Sequence, residues 1–393
     1  MRAFQYYMKT EVLFGADMTD RTADLVQKHG GSRVLVVYGG GSAVKSGLLD
    51  RICGQLQAAG IVYDTFGGVQ PNPRLSHARK GVEKSLSMGA DLILAVGGGS
   101  VIDTAKAIAH GTANPDVDIW DFWMKRAVVQ KSLPVGVVLT IPAAGSETSD
   151  SAVLTNEETC SKRGLSTDYN RPAFAVLDPK LAATLSRYQV ACGVTDIMMH
   201  TLDRYFNPAP DNEISDALAE ALLRVVIDNG FDAMLEPDHP QYMSEIMWCG
   251  SLSHNGLTGC GNDGGDFASH VMEHEMGAMY DVAHGAGLAA IWGSWARYVY
   301  KDCLHRFVRF ATNVMGVEAV GTDEAIALKG IEALEAFYRE LNMPTNFREL
   351  GVEAKDEELR EMARKAMEFV GGAQGSAKVL HEEDMYEIFK MAL

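Results

Sequence analysis

At 393 residues, with 47% hydrophobic and 22% charged residues, the chain has the balance of a globular protein large enough for two hydrophobic cores. Its 52 acidic against 35 basic residues give a formal net charge of −17, and such a surface repels nucleic-acid phosphates and anionic headgroups, which speaks against nucleic acid and membrane partners. The six cysteines are scattered with no C-x-x-C pair, which argues against a disulfide framework and a cysteine zinc site.

The N-terminal MRAFQYYMKTEVLFGADMTD has neither the apolar core nor the small-residue cleavage site of a signal peptide. No stretch approaches the ~20 apolar residues of a membrane span, so a cytoplasmic protein is expected. Beyond it, short β-branched runs alternate with amphipathic stretches: RVLVVY (33–38), a helix over 43–59, IVYDTF (61–66), a helix over 73–88, DLILAV (91–96), the helical VIDTAKAIAHG, and PVGVVLTIP (134–142). Strands separated by helices predict a doubly wound parallel-sheet α/β domain, which ends with FAVLDP (174–179). DIWDFW (118–123) reads as lining a substrate entrance or packing between domains. From about residue 181 the apolar period becomes helical, as in 213–231, 323–341 and 356–370. The division is therefore 1–180 as an α/β domain and 181–393 as an all-α domain, with no internal repeat.

Two strand–glycine–helix junctions stand out, VVYGGGSAVKSG (36–47) and LAVGGGSVIDTAK (94–106). Glycine lets backbone amides approach a phosphate, and a following helix N-terminus adds N–H groups and partial positive charge. Either alone can be no more than a tight βα turn, and neither is the G-x-G-x-x-G fingerprint or a P-loop. Together in one α/β domain they favour a dinucleotide at the carboxyl edge of the sheet. Where many NAD sites carry a carboxylate, this chain has Gly39, Gly40, Gly41 and Ser42, with Lys45 one turn on, a pattern that accommodates a 2′-phosphate and leans to NADP over NAD.

Five candidate metal ligands lie in the helical half: Asp196 and His200 in GVTDIMMHTLD, and His270, His274 and His284 in HVMEHEMGAMYDVAHGAG. The i, i+4 spacing of Asp196 with His200, and of His270 with His274, puts each pair on one helix face. Imidazoles with a carboxylate suit Fe2+ or Zn2+ and leave a position for substrate. A lone helix histidine is more often a core residue than a ligand, so the case rests on the cluster. The spacing is not H-E-x-x-H, which disfavours a zincin protease. His29, His77, His110, His239, His254, His305 and His381 fall outside any such spacing and read as surface or core residues.

At this point the chain resembles the iron-containing alcohol dehydrogenase family, most like its butanol dehydrogenase branch, over nearly its whole length. The landmarks run in order: FG of VLFGA, GGGS after the first strand, PNP (71–73), GGGSVIDTAK, TIPAAGSETS, LDP (177–179), G-x-x-D-x-x-x-H, and H-x-x-x-H followed by HGAGLA. One departure is Ala144, where many members have threonine. The resemblance implies a nucleotide-binding α/β domain, a helical domain and a catalytic metal held by Asp196, His200, His270 and His284. It makes His274 a non-ligand histidine close to the nicotinamide, for proton relay or cofactor positioning. It also implies cofactor contacts at Gly39, Gly40 and Ser42 (adenosine end), at Asn72, Gly98, Gly99, Ser100 and Asp103 (diphosphate), and at Thr140, Ser146 and Lys162 (ribose and nicotinamide).

The implied activity is metal-dependent hydride transfer between NAD(P)(H) and a primary alcohol or aldehyde such as butanol or butanal, by a homo-oligomer, expected to be a homodimer. Rival readings are a dehydroquinate synthase-like lyase, disfavoured because no arginine and lysine cluster lies beside the histidines, a glycerol dehydrogenase-like polyol oxidation, and a non-catalytic nucleotide- or metal-binding protein.

Overall fold

A computed structural model describes residues 1–209, 212–262 and 264–393. They divide into two compact units, one of Tyr7–Leu185 with Asp238–Met247, the other of Met1–Tyr6, Ser186–Pro237 and Trp248–Leu393. Among the described residues no helix is long and apolar enough to cross a membrane.

The first unit holds strands β1 (Glu11–Phe14), β2 (Arg33–Gly39), β3 (Val62–Val69), β4 (Leu92–Gly97), β5 (Val135–Leu139), β6 (Ser151–Asn156), β7 (Ser161–Ser166) and β8 (Phe174–Leu177). Between them run helices α1 (Thr22–Lys28), α2 (Leu48–Ala58), α3 (Leu75–Met88), α4 (Gly99–Ala113) and α5 (Ile119–Trp123). Six strands form one parallel sheet in the order β1-β8-β5-β4-β2-β3, the doubly wound arrangement that the alternation of strands and helices predicts. The central β4, β5 and β8 are buried along their whole length, which is why they read as continuous apolar runs with no alternation.

Two elements escape the sequence reading. One is the edge strand β1; the other is the antiparallel β6–β7 hairpin, whose polar second strand SKRGLS lacks the apolar alternation that announces a strand. The helix expected over 43–59 is broken into Ser42–Lys45 and α2 by Gly47 at φ 74. The apolar residues of DIWDFW are core: Ile119, Trp120, Phe122 and Trp123 pack with Leu75, Ala78, Ala107 and Leu154, and the Trp123 indole donates to the Ala152 carbonyl at 3.0 Å. No disulfide joins the six cysteines.

The second unit is helical: α6 (Arg187–Tyr205), α7 (Glu213–Leu235), α8 (Pro240–His254, whose first turns belong to the first unit), α9 (Ala268–Tyr280), α10 (His284–Val299), α11 (Leu304–Asn313), α12 (Asp323–Glu340), α13 (Asp356–Val370) and α14 (Glu382–Met391). A capping box starts α6, with Ser186 Oγ accepting from Gln189 N and Gln189 Oε1 accepting from Ser186 N. From Val190 to Tyr205 only Cys192 on this helix is not fully buried, so it is a central rather than a surface helix. Around its C-terminal end Phe206 stacks on Phe307 with ring centroids 4.2 Å apart, and Trp292, Trp295 and Phe310 complete the aromatic core.

Candidate functional site: a glycine cradle and a histidine centre

In the α/β unit the chain leaves β2 to make β3 on one side, then returns to make β4 on the other, so the sheet's switch point lies between β2 and β4. Both glycine turns sit there, at the carboxyl ends of neighbouring strands: Tyr38 pairs with Val96, and the turns begin at the next residues. Val101 lies between them, 3.6 Å from an ideal Cβ on Gly39 and 2.5 Å from one on Gly97. This is the position at which open α/β sheets bind ligands.

The first turn opens a hollow of about 490 Å³ lined by Tyr38, Gly39, Gly40, Gly41, Val44, Lys45, Gly67 and Gly68. It contains a cation and no carboxylate, and Ser42 starts the helical turn beneath it. At the second turn Gly98 precedes α4, and Gly99 and Ser100 are its first residues, so their amides face the space beyond the helix end. The turn is roofed closely. A Cβ on Gly98 would meet Ile141 Cβ at 3.0 Å and one on Gly99 would meet Ala144 Cβ at 3.2 Å. Thr140 is tied in through its N–H to the Gly97 carbonyl at 3.1 Å. Asn72, buried at φ 53, precedes Pro73, whose carbonyl accepts from Thr155 N at 2.8 Å; Thr155 in turn pairs with Lys162 across the hairpin.

Asp103 and Ser146 have a different setting from the glycines. Asp103 is buried, with Ser146 Oγ donating to Oδ1 at 2.6 Å and Val153 N donating to Oδ2 at 2.8 Å. One turn on, the fully buried Lys106 donates to Ser146 O and Oγ at 2.8 Å and to Ser151 O at 2.7 Å. Burial pushes the Lys106 ammonium down to about 8 against the pull of Asp103, and raises the Asp103 carboxyl. Both side chains therefore clamp the 141–153 segment onto α4. Sequence reasoning assigned Lys106 no role, and its acceptors come from a segment distant in the chain.

In the helical unit the predicted residues converge. Asp196 and His200 lie one turn apart on α6, His270 and His274 one turn apart on α9, and His284 begins α10 after the three-residue turn 281–283. Asp196, His270 and His284 each offer a ligand atom, all within 4.8 Å of one another. Measured from Asp196 Oδ1, His200 Nδ1 is at 3.3 Å, His284 Nε2 at 3.7 Å and His270 Nε2 at 3.9 Å. Donors about 2.1 Å from one cation in a tetrahedron are separated by roughly 3.4 Å, so the spacings of Asp196, His270 and His284 suit a single ion, while His200 approaches Asp196 but lies outside that mutual group. Asp196 Oδ1, His200 Nδ1 and His270 Nε2 are buried without a hydrogen-bond partner among the described residues, although buried polar atoms are nearly always satisfied. Unsatisfied buried atoms of this kind beside Asp196 suit a cation. His274 lies outside the group of Asp196, His270 and His284, its ring centroid 5.9 Å from that of His284.

Packing explains why these elements meet. Asp266 donates its N–H to the Asp203 carbonyl at 2.7 Å and accepts from Ala268 N at 3.1 Å, hanging the start of α9 from α6. Gly285 brings α10 onto α6: a Cβ there would lie 2.2 Å from the Cys192 carbonyl oxygen. Any side chain would push His284 away from Asp196.

Three neighbours were missed by sequence reasoning. The buried Asp203 carboxylate bonds His270 Nδ1, and the fully buried Glu273 carboxylate bonds His284 Nδ1. Burial lowers the His270 pKa, and Asp203 with Asp196 more than reverses this, lifting it to about 9. His254, set aside as a surface or core histidine, is buried with its ring edge-on to His200 at 3.9 Å. Burial holds both His200 and His254 well below the usual imidazole range. Asp203 lies two turns after Asp196 and Glu273 three residues after His270, but an acid at such positions carries no signal in one sequence.

Residues 9–179 match the family described as iron-containing alcohol dehydrogenase, and residues 190–393 match the C-terminal domain of the same family. The chain is 39% identical over 391 residues to an NADH-dependent butanol dehydrogenase A of Clostridium acetobutylicum, covering 99% of each. It is 32% identical to an NADPH-dependent aldehyde reductase of Escherichia coli, covering 90% of each. A solved NADH-dependent butanol dehydrogenase A from Thermotoga maritima superposes with a TM-score of 0.95 at 34% identity, over 100% of this chain and 99% of that one. The chain therefore belongs to the iron-containing alcohol dehydrogenase family, which sets aside the lyase alternative.

Proposed function

We propose that this family member, an alcohol dehydrogenase that moves a hydride between NAD(P)(H) and a primary alcohol or aldehyde, works on substrates of the butanol and butanal kind. The observation that carries the reading is that Asp196, His270 and His284 offer ligand atoms within 4.8 Å of one another, with buried atoms of Asp196, His200 and His270 left without a hydrogen-bond partner among the described residues. We assign these four as ligands of one Fe2+ or Zn2+ ion. Such an ion supplies Lewis acidity at the substrate oxygen, and the nicotinamide supplies or accepts the hydride.

The chain's own residues do the rest. Amides of Gly39 and Gly40 with Ser42, and of Gly98, Gly99 and Ser100 at the α4 N-terminus, hold the two halves of the dinucleotide, whose negative charge the helix end favours. Asn72 adds a contact at the diphosphate, and Thr140 and Lys162 complete the contacts toward the ribose and nicotinamide. Ser146 and Asp103 act through the clamp with Lys106, by keeping the 141–153 segment against the glycine turn. His274, beside but outside the ligand group, exchanges the substrate proton with solvent through its imidazole nitrogen. In functional terms 1–180 is the dinucleotide domain and 181–393 the metal domain.

For the cofactor, the hollow at Gly39 with Lys45 and no carboxylate supports NADPH. NADH is a second reading, favoured by the butanol dehydrogenase relatives named for it. We further read the protein as a cytoplasmic homodimer, with the edge strand β1 and the exposed Phe14 at its end available for subunit contact. The direct test is oxidation of NADPH and NADH by metal-loaded protein over a panel of aldehydes, beside elemental analysis. Rapid reduction of butanal with one bound metal per chain is the expected result; no turnover with any short aldehyde overturns the reading.

A further inference from the structure

The histidines of the centre are not held alike. His270 and His284 each turn one nitrogen toward Asp196 and present the other, Nδ1, to a carboxylate that has almost no solvent exposure: Asp203 is 1% exposed and Glu273 is 0% exposed. The two acids come from different helices, α6 and α9. Gly287 makes room for Glu273, since a Cβ there would lie 2.9 Å from Glu273 Cγ. His200 has a different neighbour, the edge-on ring of His254.

We propose that Asp203 and Glu273 are positioning residues that keep the protons of His270 and His284 on Nδ1, so that both Nε2 lone pairs point at one divalent cation beside Asp196. A neutral imidazole carries one proton, and a carboxylate accepting from Nδ1–H leaves Nε2 as the donor to a metal. The same contact stops the ring from rotating and raises the basicity of Nε2. Two buried acids beyond Asp196 also give the centre three carboxylates, a charge that favours a divalent over a monovalent ion. His200 lacks this arrangement, so the centre has two tethered imidazoles and one held by ring packing. Losing the His254 ring therefore matters less than losing either acid.

The inference rests on the ligand assignment made above, and one experiment separates the two. Protein stripped with a chelator is titrated with Zn2+ in competition with a chromophoric chelator, and with Co2+ while its visible absorption bands are recorded. Asp203→Asn and Glu273→Gln, close in shape to the native residues, should each bind Zn2+ roughly 10- to 100-fold more weakly and shift the Co2+ bands, with dinucleotide affinity unchanged. His254→Phe should change Zn2+ affinity less than either. Native Zn2+ affinity and Co2+ bands in both acid variants overturn the proposal, while Zn2+ binding by His284→Ala that equals the native protein overturns the ligand assignment itself. If one acid variant fails to fold, the other carries the same test, because each acid serves a different histidine.

Discussion

The glycine cradle and the histidine centre solve opposite problems. On the proposed reading the binding groups at the cradle are backbone amides, and side chains must be kept away: Gly98 and Gly99 have Ile141 and Ala144 within 3.0 and 3.2 Å of where a Cβ would stand. At the centre the proposed binding groups are side chains, and the backbone must come close enough to gather them, as Gly285 does against Cys192. Glycine serves both, in one case to expose amides and in the other to bring two helices together. A site made of absences is damaged by adding atoms, and a site made of donors by deleting them.

The largest effect should follow deletion at the centre. His284→Ala should lose bound metal and activity together, to background, with far-UV circular dichroism unchanged, whereas His274→Ala should keep one metal per chain and lose turnover. Equal metal loss in both would make His274 a ligand. Next comes addition at the cradle: Gly98→Val should weaken dinucleotide binding by about tenfold to a hundredfold, from overpacking worth roughly 1–3 kcal/mol, and leave metal content untouched. Metal loss in that variant would break the contrast between the two regions.

A smaller effect is expected from the clamp. The folded-state pKa of Lys106 is depressed to about 8, so below that pH the lysine is charged in both folded and unfolded states and its burial costs stability throughout. As pH rises from about 8 toward the ordinary 10.5, only the unfolded state stays protonated, and the cost is relieved by at most about 1.4 kcal/mol per pH unit. Urea unfolding of the native protein and Lys106→Met across this window should show the native protein gaining on the variant. A constant difference would mean that Lys106 stays charged by virtue of Asp103. The smallest effect concerns cofactor choice: Gly39→Asp should move preference from NADP toward NAD by about 1–3 kcal/mol, read as the ratio of dissociation constants. A native preference for NAD would refute the reading of Lys45.

The sequence by itself determined the parts whose signal is local. Continuous apolar runs marked β4, β5 and β8, helical periods marked α7, α12 and α13, the two GGGS turns marked the cradle, and i, i+4 pairing exposed Asp196 with His200 and His270 with His274. Tertiary structure decided whatever depends on partners distant in the chain. Trp120 and Trp123, which the sequence left between a substrate entrance and packing between domains, sit in the core of the α/β unit, because the neighbours that bury them come from α3, α4 and the hairpin. Lys106 is interior because its acceptors, 40 and 45 residues away, fold back onto it. Asp203 acquires its histidine across 67 residues, and His254 lies edge-on to His200 only because helices α6 and α8 converge there. The physical reason is common to all of them: a charge or a ring takes its role from what is packed against it, and packing brings together residues that chain spacing leaves unrelated.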